Sequence, residues 1–87
     1  VLDRDPIKLG VNAATANGAL AGFVKSAAIE MPRGIRVNVV SPGLLEISEP
    51  KYGQWFHGHK PVSSIDVGRA YAKSVEGALT GQVIIVA

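Results

Sequence analysis

Cysteine is absent from this sequence, charged residues are few, and no apolar run is long. Without cysteine the chain has no disulfide framework, no zinc ribbon and no thiol nucleophile, which fits a reducing compartment. The longest apolar run, residues 83–87, is far shorter than the roughly 18 residues that a membrane span needs. No basic start followed by an apolar stretch opens the chain, so the sequence does not predict a signal peptide. We therefore expect a cytoplasmic protein without a membrane segment.

The charge pattern gives little reason to expect a nucleic-acid partner. Nine Lys and Arg against seven Asp and Glu leave a formal net charge of +2. The basic residues are scattered from Arg4 to Lys73, without a run that would follow a phosphate backbone. Charged residues make up 18% of the chain, below the roughly 25% of an average soluble domain. A larger share of this surface than usual is therefore expected to be buried.

The length of the chain limits what it can build. Eighty-seven residues form one small domain or a part of a larger one. A chain of this size removes only about 60% of its extended surface from water on folding, so we expect marginal stability. The chain does not begin with Met, which we interpret as a sign of truncation or processing.

Residues 12–31 carry the pattern of a helix. Asn12 can cap its start, and Pro32 and Gly34 end it. Apolar residues recur at three- and four-residue spacing at Ala16, Leu20, Phe23, Val24, Ala27 and Met31. Small residues recur every four positions at Gly18, Gly22 and Ser26. Because a glycine inside a helix costs about 1 kcal/mol relative to alanine, this ridge indicates close approach of another backbone, within the chain or across a subunit contact.

The remainder of the chain predicts two strands and a second helix. Residues 35–40 (IRVNVV) are rich in β-branched side chains and predict an interior strand, ended by Ser41 to Gly43. Residues 44–62 form a long loop, and loops of this length are usually lids or binding segments. Ser63 and Asp66 resemble a capping box at the start of a second helix. Its predicted inward face carries Ile65, Val67, Ala70, Tyr71, Val75 and Ala78. Residues 83–86 predict a second buried strand.

The order helix, strand, loop, helix, strand indicates an α/β fold. Two strands joined through a helical crossover form a parallel pair. Both strands look buried on two faces, and two helices cannot cover both faces of a sheet. The sequence therefore predicts a partial, doubly wound Rossmann-like fold, with residues 1–87 as a single partial domain.

Two stretches resemble a known family. GALAGFVKSAAIEMPRGIRVNVVSPG, at residues 18–43, closely resembles the C-terminal half of short-chain dehydrogenase/reductases, and SSIDVGRAYAKSVEGALTGQVIIV, at residues 63–86, is similar to their last helix and strand. The resemblance covers about residues 12–87. It implies a Rossmann fold that binds NAD or NADP and transfers hydride to or from an alcohol or carbonyl.

The resemblance also locates the catalytic positions of the family. Family members carry a Tyr and, one helical turn later, a Lys that lowers the Tyr pKa so that the phenol acts as acid or base. Aligned on GALAGF, these positions are Ala13 and Asn17, and no shift of register restores the pair. The chain is therefore expected to belong to an atypical subgroup without catalytic residues. Asn17 can still donate a hydrogen bond to a ribose hydroxyl.

Further cofactor contacts follow from the resemblance alone. The backbone at Pro42, Gly43 and Leu44 corresponds to the turn that approaches the nicotinamide amide, although a simple strand terminator is an alternative. Ile47 stands where the family often has Thr. No G-x-G-x-x-G turn is present, so the pyrophosphate has no nest of amides. We expect no cofactor for the isolated chain, and NAD or NADP only as part of a full-length protein.

The loop at residues 44–62 holds other candidate site residues. Tyr52, Trp55 and Phe56 are expected to form a substrate lid or to cover exposed sheet. His57 and His59 have the spacing of a metal pair, but four ligands are usual and solvated loop histidines are the favoured interpretation, so no metal is predicted. Asn38 is expected to make a buried hydrogen bond to a turn.

Three interpretations of the whole chain remain open. It is an atypical dehydrogenase-like half, a non-catalytic module that pairs with itself or with a complementary N-terminal half, or the remainder of a full enzyme-like protein. The unpaired edge of the first strand and the small-residue ridge predict a homo-oligomer, in particular a two-fold dimer.

Overall fold

A computed structural model describes residues 1–87 and shows two parallel strands with three helices. The elements are α1 (Val11–Ala28), β1 (Val39–Pro42), α2 (Glu49–Tyr52), α3 (Ser64–Glu76) and β2 (Val83–Val86). In the sheet Val39 lies opposite Val83 and Pro42 lies opposite Val86. The predicted α/β class and the parallel strand pair are confirmed. No helix has the length and apolar content that crossing a membrane requires.

Helix α1 begins and ends earlier than the sequence predicts. Its N-cap is Gly10, not Asn12, and no side chain caps the helix. A Cβ at position 10 would lie 2.9 Å from Ile7 Cγ1, so the close turn before the helix requires glycine. The helix stops at Ala28 because Pro32 has no N–H to continue the hydrogen-bond ladder.

Strand β1 also lies later than predicted, at Val39–Pro42 in place of residues 35–40. The backbone of residue 37 bonds to the turn before β2 and not to a strand, since Gly81 N–H donates to Val37 O at 2.8 Å. Pro42 belongs to the strand although it was expected to end it. Val39 N–H and Gly43 N–H both donate to the β2 side of the strand. Because backbone groups alternate in direction along a strand, the nitrogen of Pro42, which carries no hydrogen, faces the free edge of β1.

Arg36 and Asn38 connect the entry of β1 to the end of α3. The Arg36 guanidinium donates to the carbonyls of Ser74, Val75 and Leu79, two of which belong to the last helical turn and have no partner within the helix. Asn38 Nδ2 donates to Ser74 Oγ and to Leu79 O, both at 3.0 Å. These bonds fix the distance between the carboxyl end of α3 and the sheet.

Asn38 also accepts a hydrogen bond from the turn that follows α3. Gln82 N–H donates to Asn38 Oδ1 at 3.1 Å, immediately before β2 begins. The half-buried amide therefore uses both its donor and its acceptor on the segment that leads into β2. The predicted bond from Asn38 to a turn is confirmed.

Alternate residues of the strands face the two long helices. Val40, Ile84 and Val86 pack with Ala70 of α3 in the main apolar cluster. Val39 and Val83 point the other way, towards α1. The helices therefore lie on opposite faces of the two-stranded sheet.

Helix α3 begins with the expected cap. Asp66 N–H donates to Ser63 Oγ at 3.1 Å, so the predicted cap is confirmed. The Asp66 carboxylate contacts Arg69 at 3.3 Å on the exposed face of the helix.

Several side chains that were expected to be buried are exposed. On α3, Ala70 is buried and Val67 is half-buried, whereas Ile65, Tyr71, Val75 and Ala78 are exposed. On α1, Val24 and Ala27 are buried, whereas Ala16, Leu20 and Phe23 are exposed. In β2, Ile85 is 52% exposed, so the expectation of two buried faces is wrong for this strand. The cause is the small number of elements, which leaves nothing within 87 residues to pack on these faces.

The 44–62 segment is more regular than the predicted loop. Two 3-10 turns, Glu46–Ser48 and Gly53–Trp55, flank α2. The two ends of the segment are joined, since Val62 N–H donates to Leu44 O at 2.8 Å and Glu46 N–H donates to Val62 O at 2.9 Å. The segment therefore begins and ends at one place, which these two backbone bonds hold together.

The exposed surface is large for the mass of the chain. The accessible surface is 6003 Å², whereas a folded monomer of 9.1 kDa is expected to expose about 4900 Å². The radius of gyration is 14.1 Å, against about 12 Å for a compact domain of this length. The fold is thus more open than that of an independent domain.

The Asn38 bonds provide a test of the connection between β1 and α3. Replacing Asn38 with Ala leaves Gln82 N–H and Leu79 O without this partner, so we expect the free energy of unfolding to fall by about 2 kcal/mol. Urea denaturation followed by circular dichroism measures the change. Gln82→Ala removes only an exposed local bond and serves as the control, with an expected loss below about 0.5 kcal/mol. Equal losses for the two variants would contradict the assigned role of Asn38.

Candidate functional site

A cleft of about 590 Å³ lies where the carboxyl end of β1 meets α1. Its other walls are the N-terminal segment, residues 1–10, and the 44–62 segment. Hydrophobic residues make up 14 of the 21 that line it, so the cleft is mainly apolar. In open α/β sheets, ligands bind beyond the carboxyl ends of the strands, which is the position of this cleft.

Most of the candidate site residues line this one cleft. Its walls include Ala13, Asn17, Pro42, Gly43, Leu44, Tyr52 and Phe56. Trp55 lies outside the cleft, 42% exposed, with its ring centroid 6.4 Å from that of Tyr52. The positions that the family resemblance selects are therefore close in space, although they come from three separate parts of the chain.

The α1 wall presents little reactive chemistry. Ala13 and Asn17 lie one turn apart and both face the cleft. A methyl group cannot transfer a proton, and a carboxamide has no charge with which to shift the pKa of a neighbour. This wall can orient a ligand through the Asn17 amide but cannot act as an acid or a base.

The turn after β1 leaves one backbone donor free. Gly43 N–H donates to Val86 O at 3.1 Å, and Leu44 O accepts from Val62 N–H. The Leu44 N–H has no backbone partner. Because the Leu44 side chain is buried, this residue can offer a ligand only its backbone. A carbonyl or amide oxygen of a ligand is the group that such a donor binds.

Sequence reasoning missed the N-terminal wall of the cleft. Arg4 Nη2 donates to Ser41 Oγ at 2.8 Å and to Ser41 O at 3.3 Å, which ties this wall to β1. Ser41 is only 9% exposed, and Leu2 is buried beside it. Contacts between residues 37 positions apart leave no periodic or local signal that could have indicated them.

The two histidines have different surroundings. His57 is exposed, whereas the His59 side chain is only 6% exposed. His59 Nε2 lies 3.4 Å from Asp5 Oδ2, and its ring meets the Phe56 ring edge-on, with centroids 5.2 Å apart. The interpretation of both as solvated loop residues is therefore wrong for His59. No group of three or more potential metal ligands occurs in the chain.

The charge of the cleft does not suit a diphosphate. Its polar side chains are those of Asp3, Asn17, Ser41, Ser48 and Tyr52, and no Lys, Arg or His is among the lining residues. The Asp3 carboxylate lies 3.7 Å from the Val1 amine, the one cationic group among the lining residues, so the two charges offset each other. The residues of this chain therefore suit the uncharged part of a ligand and not an anionic part.

Comparison with known proteins finds a similar solved structure. No protein-family model matches the chain, and no curated protein matches it. The chain is similar to the crystal structure of the protein lin1944 from Listeria innocua, with 53% sequence identity and a TM-score of 0.96. The match covers 99% of this chain and 43% of that protein. The chain thus spans less than half the length of the protein that it resembles.

The Arg4–Ser41 contact predicts a measurable link between the N-terminal wall and β1. Ser41→Ala removes the hydroxyl that accepts from Arg4 and from the Val1 amine, and we expect the free energy of unfolding to fall by about 1 kcal/mol. Urea denaturation measures it. Ser48→Ala, which changes another serine of the same cleft, is the control and is expected to have a smaller effect. If Ser48→Ala proved as costly as Ser41→Ala, the contacts of the N-terminal segment with Ser41 would not be the cause.

Proposed function

We propose that this chain is the C-terminal half of an atypical short-chain dehydrogenase/reductase-like protein that lacks the Tyr and Lys pair. In this proposal residues 1–87 have no dehydrogenase activity on their own. The observation that carries it is the shared cleft, in which Ala13 and Asn17 stand at the catalytic positions of the family beside Gly43 and Leu44. In this proposal the cleft corresponds to the family's site, and Ala13 and Asn17 replace its proton-transferring pair.

The proposal includes a Rossmann-like sheet larger than the one described. Parallel strands with helices on opposite faces are the building unit of a doubly wound fold. The free edge of β1, to which Val40 and Pro42 direct their backbone groups, is where a further strand would pair. A related protein of more than twice the length has room for such strands in the remainder of its chain.

The fit of a dinucleotide to this chain is limited to one part. The Leu44 N–H and the Asn17 amide suit a carboxamide and a ribose hydroxyl, whereas neither a cation nor a glycine-rich turn is present for the pyrophosphate. NAD or NADP, when bound, supplies hydride chemistry. The chain by itself does not fit either molecule, and only a longer protein with a phosphate turn would hold one.

A titration with NADH or NADPH tests this proposal. We expect no enhancement of nicotinamide fluorescence with residues 1–87 at concentrations up to about 1 mM, because the chain has no glycine-rich turn for the pyrophosphate. A dissociation constant of about 1 mM corresponds to a binding free energy of about 4 kcal/mol. Saturable binding below this concentration would contradict the absence of a phosphate site.

The double variant Ala13→Tyr, Asn17→Lys is the matched control. It restores the catalytic pair without adding a phosphate site, so it is expected to remain inactive in residues 1–87. Measured turnover of an alcohol or carbonyl by this short variant would show that the missing pair alone explains the inactivity. The same change in a longer protein with a phosphate turn separates the two defects.

A second candidate function is that of an interaction module. The surplus of roughly 1100 Å² over the surface expected for this mass exceeds the roughly 800 Å² that each partner buries in a typical specific interface. Helix α1 has Lys25 as its one charged residue, and Phe23 is 58% exposed. A helix that is apolar on all sides is usually buried on all sides. The partner in this alternative is a second copy or a complementary N-terminal half.

Gly22 tests the α1 surface without disturbing the chain. A Cβ at Gly22 meets no atom within 4 Å, so a Leu side chain there starts in open space, and Leu raises helix propensity. If α1 is the contact of a homodimer, Gly22→Leu is expected to raise the dissociation constant about tenfold, or about 1.4 kcal/mol. Light scattering over a dilution series measures it.

Gly68 of α3 is the matched control, since it also has open space around its Cβ. Gly68→Leu is expected to leave the dissociation constant unchanged. A folded monomer of 9.1 kDa at all concentrations would rule out the homodimer and leave the complementary half as the partner to test.

A further inference from the structure

Asn17 is followed by Gly18 inside α1, and this pair of residues is chemically labile. Asparagine is thermolabile because the backbone nitrogen of the next residue can attack the carbon of its side-chain amide. A following glycine obstructs this attack least, since it has no Cβ. The other two asparagines, Asn12 and Asn38, are each followed by a residue that has a Cβ. By its sequence, Asn17 is therefore the most reactive asparagine of the chain.

Helical geometry opposes this reaction. In a helix each side chain is tilted towards the N-terminal end, away from the N–H of the residue that follows it. The Gly18 N–H also belongs to the hydrogen-bond ladder of α1, in which it donates to the carbonyl of Ala14. Closing a ring between Asn17 and Gly18 therefore requires this part of α1 to leave the helical conformation.

The N-terminal part of α1, residues 11–23, is the less firmly packed part of the helix. None of these residues is buried, and no side chain caps the start of the helix. The two buried residues of α1 both come later, at Val24 and Ala27. Gly18 and Gly22 lower the helix propensity of this part further. Because segments with few buried apolar contacts open at the lowest free energy, residues 11–23 are expected to open without the rest of the chain.

We propose that Asn17 is a deamidation site whose reaction rate is set by local opening of residues 11–23. This proposal does not depend on the proposed function. In the open segment the Gly18 nitrogen bonds to Asn17 Cγ, and the bond between Cγ and Nδ2 breaks. Nδ2 leaves as ammonia, together with the proton that the Gly18 nitrogen has lost. Water then opens the cyclic imide at either of its carbonyl carbons, which gives aspartate or isoaspartate at position 17.

Deamidation changes the charge of the cleft. Asn17 lines the cleft and supplies one of its neutral polar groups, whereas the product is a carboxylate. No Lys, Arg or His side chain of the lining balances the added charge. Isoaspartate also adds one carbon to the main chain, which interrupts the hydrogen-bond ladder of α1. The reaction therefore removes the carboxamide with which this wall can orient a ligand, and refolding does not restore it.

Mass spectrometry of peptides measures the conversion after incubation of the chain at mildly alkaline pH. We expect the folded chain to convert Asn17 and to show no conversion at Asn12 or Asn38 in the same time. Gly18→Ala is expected to abolish the conversion, and its added Cβ fits, since it meets only Asp3 Cβ at 4.0 Å. The proposal is overturned if Asn17 stays intact in the folded chain, or if Gly18→Ala converts as fast as the unmodified chain.

Two glycine variants distinguish local opening from unfolding of the whole chain. Gly22→Ala in α1 and Gly68→Ala in α3 both place a methyl group in open space and gain the same helix propensity. Gly22→Ala is expected to slow the conversion about fivefold, which is the factor by which a helix favours alanine over glycine. Gly68→Ala is expected to leave the rate unchanged, since α3 stays folded when residues 11–23 open. Circular dichroism confirms that each variant is folded. Equal slowing by the two variants, or no slowing by Gly22→Ala, overturns the local opening.

Discussion

The hydrogen bonds of Arg36 and Asn38 hold the rest of the structure in register. They satisfy carbonyls at the end of α3 and set the turn that leads into β2. The ladder begins one residue after Asn38, where Val39 lies opposite Val83, so these bonds align its first pair. A two-stranded sheet is marginal by itself. In this chain the alignment of the sheet depends on Arg36 and Asn38, which precede β1. The apolar cluster against α3 contributes buried apolar surface.

The helices and strands could be predicted from the sequence, but not all of their first and last residues. Local signals predicted both long helices and the Ser63 cap, because each depends on neighbours along the chain. The bond of Asn38 to a turn joins residues more than 40 positions apart, and its prediction came from the family resemblance. The start of β1 depends on where β2 begins, more than 40 residues later, and so was misplaced. The helix begins after Gly10 and not after Asn12, and no side chain caps it, so the capping preference of Asn did not locate its start.

The residues of the candidate site were likewise predicted in part and missed in part. The residues of α1, the β1 turn and the 44–62 segment that the resemblance selected line one cleft, except Trp55. The N-terminal wall was missed, since Arg4 and Asp5 reach their partners through single long-range contacts. The burial of His59 was missed for the same reason. The low share of charged residues predicted that more of the surface than usual would be suited to burial. The exposed apolar residues of α1 and α3 form such a surface.

Pro42 has a geometric consequence for any strand that would extend this sheet. Its ring removes the one amide that the end of β1 would otherwise direct towards a neighbour, so an added strand can pair fully with Val40 but loses its next ladder bond at Pro42. Such a strand would separate from β1 at this residue. A single imino acid would thus end the pairing at the residue before Gly43, where the chain lines the cleft.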